Sequence, residues 1–385
     1  MKAILISAIL IFTVNLMSGQ MDEEINQSST QKLTIKGYGQ IDFNQQVNGE
    51  LKETGTLDVH RLVMMFGYKF NKSTSFVSEI EYEHVSEVYI EQAYLNHKFS
   101  NALNLKAGLL LIPMGIINEY HEPPTFNGVE RPNLDKYIAP TTWREIGVGI
   151  SGRFDQVSLK YQLYVVNGFL SYSDGGKLSG KNGLRKGRQK GAESVFVYPN
   201  FTGKLDYYGI SGLKVGLSGY FGKTQSTLFD GLDTNDDVLS SVADSSVVGI
   251  SMIGADFRYG IKGFSFKGQY YLCNLSNTDQ YNTLTDSDLG STLSGYYLEA
   301  GYNVLSSFDS ELDLIPFIRY ENYNTHATTA GELEQNPELN KTEITAGIGL
   351  KLAPGAVLKA DMQFVSNEGS DDVIQILNLG VGIWF

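Results

Sequence analysis

From Leu33 to Phe385 the chain alternates apolar and polar residues with period two, and beyond residue 19 no window approaches eighteen consecutive apolar residues. Such a chain has no helical route across a bilayer. If it sits in lipid it must close its backbone hydrogen bonds between strands, as a barrel. The last segment, VIQILNLGVGIWF, shows the pattern most clearly. Val373, Leu377, Leu379, Val381, Ile383 and Phe385 are apolar, and Asn378, Gly380 and Gly382 fall between them. ITAGIGLKL (344–352) and LKADMQF (358–364) repeat it: one face suits hydrocarbon and the other suits water.

Segments of this kind begin near residues 32, 58, 73, 87, 101, 143, 156, 194, 213, 246, 261, 292, 311, 341, 355 and 373, which makes about sixteen strands. Connections near Asn71, Ser100, Asp155, Gly260 and Pro354 are tight. Those at 47–57, 113–142, 168–192, 224–245, 276–291 and 324–340 are long. An even strand number with short turns on one rim and long loops on the other predicts an all-β, transmembrane antiparallel barrel, with short periplasmic turns and long extracellular loops. A soluble β-sandwich or β-helix has no need of that asymmetry.

The first residues, MKAILISAILIFTVNLMSGQ, place one cation before an apolar run and small residues after it. That layout predicts a signal peptide over 1–19 and export. A short polar segment, 20–31, then leads into a barrel over 32–385. The single Cys273 excludes an internal disulfide, so the sheet itself must supply stability. A hydrophobic fraction of 42% fits a wall on which only every second residue meets lipid, and a net charge of −13 argues against a nucleic-acid partner.

With the apolar face outward, the lumen receives Arg61, Lys106, Arg153, Lys160, Lys267 and Lys359, together with Glu79, Glu81, Glu83 and Glu145. Fixed charges of both signs predict a mixed wall with weak charge selectivity. In the 168–192 loop, Lys177, Lys181, Arg185, Lys186, Arg188 and Lys190 form a basic patch that either draws anionic solutes or headgroups or is simply solvated. Enzyme motifs are weak. GVGISG (147–152) matches a dinucleotide fingerprint only in letters, because it lies inside an alternating strand. The five histidines have no close ligand spacing, so neither metal nor cofactor is expected.

Two stretches carry a resemblance. LNLGVGIWF, with Val381, Ile383 and the terminal Phe385, looks like the signature by which outer-membrane proteins are handed to the barrel-assembly machinery. QAYLNHKFSNALNLKAGLLLIPMG (92–115) and the loop EYHEPPTFNGVERPNLDKYIAPTTWRE (119–145) are similar to the porins grouped with phosphate-selective porins O and P, in their Bacteroidetes-type members. The resemblance implies a Gram-negative outer-membrane porin, usually a homotrimer, that passes small hydrophilic solutes and ions passively. It leaves an anion or phosphate preference open. It also implies that the third long loop, 113–142, folds into the lumen. Prolines and aromatics suit that segment for packing, and Glu119, Tyr120, His121, Glu122, Glu130, Arg131, Asp135 and Lys136 would form the pore constriction. A surface-binding or adhesive barrel and a membrane-embedded lipase are the alternatives.

Overall fold

The computed structural model describes residues 32–49, 53–233 and 235–385; the expected signal peptide and the segment 20–31 lie outside them. In chain order the strands are β1 (Leu33–Gln46), β2 (Thr56–Lys69), β3 (Thr74–Glu83), β4 (Glu87–Ser100), β5 (Leu103–Leu111), β6 (Arg144–Phe154), β7 (Leu159–Val166), the short β8 (Leu170–Tyr172), β9 (Asn200–Ile210), β10 (Leu213–Lys223), the short β11 (Gln225–Ser226), β12 (Gly249–Ile261), β13 (Phe264–Ser276), β14 (Thr292–Tyr302), β15 (Asp313–Thr328), β16 (Asn340–Ala353), β17 (Ala356–Asn367) and β18 (Ser370–Trp384). All except β8 and β11, which pair with each other in the loops, form one closed antiparallel barrel of 16 strands in which β18 returns to β1. Phe385 seals the seam: its N–H donates to Gly37 O and its O accepts from Gly37 N–H, both at 2.9 Å.

The alternation has the physical meaning expected of it. Ile344 is 41% exposed, whereas Glu343 and Thr345 on either side are 2% exposed each. Apolar residues therefore cover the outer wall and polar ones fill the interior, the reverse of a water-soluble fold. Tyr68, Phe70, Phe99, Phe154, Tyr207, Phe264 and Phe308 are exposed near the tight-turn rim, where an aromatic girdle belongs. GVGISG lies within β6, with Ile146, Val148 and Ile150 exposed on the outer face, and only a single 3-10 turn, Asp155–Val157, follows the strand, so the motif does not open an α-helix.

The tight rim carries the connections 70–73, 101–102, 155–158, 211–212, 262–263, 303–312 and 354–355. On the opposite rim the β3–β4 connection is only 84–86, so the 112–143 loop is the third outward connection but the second long one. A register shift between Glu79 and Ile80 leaves Glu91 of β4 without a partner across the ladder. This β-bulge turns Glu91 fully inward.

Candidate functional site

The 112–143 loop is tied at its neck and then crosses the lumen. Asn118 donates from Nδ2 to Ile112 O (2.7 Å) and Trp143 O (2.9 Å), and its Oδ1 accepts from Trp143 N–H at 2.8 Å. Trp143 packs on Phe169 and Tyr220, with ring centroids 4.5 and 4.6 Å away, and its Nε1 donates to Glu145 at 2.7 Å. Glu145 also accepts from Gly168 N–H and Tyr220 OH, so it closes the neck.

From the neck, polar side chains on many strands reach inward to the loop. Lys204 donates to Glu119 at 2.7 Å and to Gly115 O, and Gln269 accepts from Ile116 N–H at 2.6 Å. Lys267 donates to Thr125 O (2.8 Å). Lys359 donates to Pro123 O, Phe126 O and Gly128 O at 2.6, 2.6 and 2.8 Å. Asp361 accepts from Val129 N–H, and Glu321 accepts from Asn133 and Leu134 N–H at 2.9 and 3.1 Å. A buried backbone without a ladder must find such partners, and here the barrel wall supplies them.

Several residues expected to meet passing solute are placed in this loop–wall interface. Glu119 is buried and accepts from Gln162 and Lys204. Burial alone would raise its pKa, but Lys204, with Lys160 and Lys214 beyond, holds it well below the usual carboxylate range. Asp135 is fully buried, where desolvation pushes it up to about 7 despite hydrogen bonds from Gln269 (2.7 Å) and Tyr271 (3.1 Å). Tyr120 lies under Arg258, 4.3 Å from guanidinium carbon to ring centroid. His121 is buried against Glu91 and Glu79, with Nε2 3.2 and 3.6 Å from their carboxylates. Burial would lower its pKa, but the two carboxylates overcome that and push it up to about 10. Glu122 is buried beside it, and burial raises it to about 7.

Among the expected wall charges, Lys106 sits 5.0 Å from the centroid of the Tyr94 ring, and Glu79 accepts from Tyr38 OH and Gln92. Lys160 is registered opposite Asp206. Arg153 is half-exposed at the tight-turn end, paired with Asp155 at 2.8 Å. On the outer wall at the seam, Ile383 and Phe385 are exposed and Val381 is half-buried.

Glu130, Arg131 and Lys136 do line open space. With Arg61, Glu81, Glu83, Arg144, Arg185, Arg188 and Lys190 they surround a cavity of about 410 Å³. Seven cationic side chains and three carboxylates face one another there. Arg61 pairs with Glu81 at 3.3 Å, and the remaining cations outnumber the acids. Burial, followed by the charge of Arg61, lowers the pKa of Arg131 to about 10. Burial, followed by Arg185 and Arg144, lowers that of Arg188 to about 9. A guanidinium stays charged at neutral pH, so this crowding is not relieved by loss of a proton.

Arg185 and Arg188 come from the 167–199 connection, whose Leu178 and Leu184 are buried and whose arginines both donate to Thr141 O. The basic patch is therefore divided, its arginines folded inward. The buried Leu178, Leu184 and Phe169 in the same loop were the available signal, since a solvated loop has no use for them.

No protein-family model matches the chain. An uncharacterized protein of Aquifex aeolicus (strain VF5) is 35% identical over 339 residues, which is 86% of this chain and 74% of the relative. The chain belongs to the family of that Aquifex protein. Solved structures give this family its fold. An anion-selective porin from Comamonas acidovorans aligns with a TM-score of 0.58 at 13% identity, over 92% of this chain and 99% of that one. The outer membrane channel DcaP of Acinetobacter baumannii aligns at 0.59 and 11% identity, over 92% and 97%. OmpT of Vibrio cholerae, an outer membrane protein solved in a trimer form, aligns at 0.55 and 13% identity, over 92% and 99%. At these identities the likeness is one of fold.

Proposed function

We propose that this protein is a passive outer-membrane channel for small hydrophilic solutes and ions, narrowed by the 112–143 loop and favouring anions. The observation that carries the reading is the cavity of about 410 Å³ with its seven cations and three carboxylates. The mixed wall expected from the sequence does not reach solute intact. Glu119, Glu145, Glu321 and Asp361 are engaged in holding the loop, and the balance left at the open space is cationic. Rings of fixed charge set the ion preference of a pore, so small phosphorylated or carboxylated solutes suit it better than cations. The apolar outer face and aromatic girdle support residence in the outer membrane among its lipids. Exposed Ile383 and Phe385 at the seam are available to the barrel-assembly machinery. A homotrimer draws support from the Vibrio neighbour's trimer form.

The test is single-channel recording in a planar bilayer under a salt gradient, with phosphate added as a competing anion. Discrete steps with an anion-preferring reversal potential are expected, and Arg131→Glu with Arg188→Glu should move that potential toward cations. Silence from a correctly folded barrel overturns the reading. It would favour a barrel that binds at the cell surface, because the loop bonds to wall strands on opposite sides of the lumen.

A further inference from the structure

We propose that Glu79, Glu91 and His121, with the phenol of Tyr38, form a binding site for one divalent cation of the zinc type, fastening the lumenal loop to the β1–β3–β4 wall. The four donor atoms converge from three wall strands and one loop. His121 Nε2 is 3.2 Å from Glu91 Oε2 and 3.6 Å from Glu79 Oε1, and Tyr38 OH is 2.9 Å from Glu79 Oε1 and 3.1 Å from Glu91 Oε2. An ion with bonds of ~2.0–2.2 Å in a tetrahedral site holds its ligand atoms ~3.3–3.6 Å apart. The four distances above fall within about 0.4 Å of that range, and the ligand atoms of Glu79, Glu91 and His121 all lie within 4.8 Å of one another.

Three further features separate this cluster from a chance group of acids. His121 Nδ1 lies 3.2 Å from Asn118 O, so its N–H donates to a backbone carbonyl and leaves Nε2 directed at the carboxylates. Histidine metal ligands are oriented by that kind of partner. Glu79 Oε2 accepts from Gln92 at 2.7 Å, which fixes the second ligand. Glu91 reaches the interior only through the bulge in β4; it is completely buried, with Arg144 3.8 Å from its Oε1 and Glu81 beside it. The neighbouring Arg61 is occupied by Glu81. Binding would release the proton from His121 Nε2 and put the ion in its place between the two carboxylates.

The experiment is a titration of the metal-free, folded barrel with zinc chloride by calorimetry, together with cobalt(II) absorption as a report on geometry. One zinc per chain and a tetrahedral cobalt spectrum are expected. His121→Gln and Glu91→Gln should each weaken zinc binding at least tenfold. His84→Gln tests the other such cluster among the described residues, Asp58, His60 and His84 at the loop rim, and should leave binding unchanged. Absence of stoichiometric zinc on the wild-type barrel overturns the site and leaves a protonated His121 bridging two carboxylates. Loss of binding in His84→Gln but not in His121→Gln overturns it equally, by placing the ion at the rim. Neither outcome depends on the barrel conducting.

Discussion

The ammonium of Lys359 on β17 lies 3.9 Å from the centroid of the Phe126 ring and donates a 2.6 Å hydrogen bond to the carbonyl of the same residue. With Pro123 O and Gly128 O it gathers three backbone acceptors that no ladder serves. Lys359→Met keeps the length of the side chain and removes the donors. Three buried carbonyls left unpaired should cost on the order of 2–4 kcal/mol. Thermal unfolding in detergent should show the loss, and channel recordings should become noisier as the 123–128 segment loosens. An unchanged melting curve would mean that water replaces the ammonium without penalty.

Asp135 gives the loop a pH dependence of known sign. Its pKa is ordinarily 3.8 and is raised by burial to about 7 in the fold, so the neutral acid is the form the structure prefers. Its contribution is fully present below about pH 4 and is lost as pH rises through about 7. Asp135→Asn imitates the neutral acid, since its Oδ1 can still accept from Gln269 and Tyr271. At pH 8 the variant should be more stable than the wild type by on the order of 2–4 kcal/mol, and the gap should close at pH 4. Denaturant unfolding at the two pH values checks this; a gap that widens on acidification reverses the assignment.

The barrel is written openly in the sequence because alternation is a local property of each strand. Observed strands begin at Leu33, Glu87, Leu213 and Thr292, beside starts of 32, 87, 213 and 292 read from the pattern, and the largest displacement is 194 against Asn200. The loop–wall interface was harder to read. Which of Glu119, His121 and Asp135 meets water depends on contacts with β4, β7, β9 and β13, far away in the chain. Glu91 did leave a trace. The exposed apolar residues of β4 are even-numbered at Val88 and Ile90 and odd-numbered at Leu95 and Phe99. That change of phase locates the bulge and predicts an extra inward residue between them.

Gly380 and Gly382 also have a reading that alternation alone does not provide. A Cβ on Gly380 would stand 2.9 Å from Val129 Cγ1, and one on Gly382 would stand 2.8 Å from Pro123 Cβ. These bare positions on β18 make the room into which the loop packs. Gly380→Val should push Val129 off the wall and cost ~1–3 kcal/mol. Gly349→Val, also on the inner face, has only Val357 within 4 Å, at 3.8 Å, and should be close to neutral. Melting temperatures of the two variants test the difference; equal losses would show that any inward side chain is harmful, with or without the loop.

Asn118 holds the neck through both ends of its amide, and the two functions can be separated by one atom. Asn118→Asp keeps an oxygen for Trp143 N–H but replaces the donor to Ile112 O and Trp143 O with a second acceptor. A carboxylate facing two carbonyls in a buried site is worse than an empty space, so Asn118→Asp should destabilise more than Asn118→Ala, which itself should cost on the order of 2–3 kcal/mol. Because Trp143 packs on Phe169 and Tyr220, loosening should spread to the 167–199 connection and bring its arginines away from Thr141. Hydrogen exchange resolved by segment reads this directly. Faster exchange in both loops, with the strands unaffected, is the expected result, and exchange confined to 112–143 would show that the two loops are held independently.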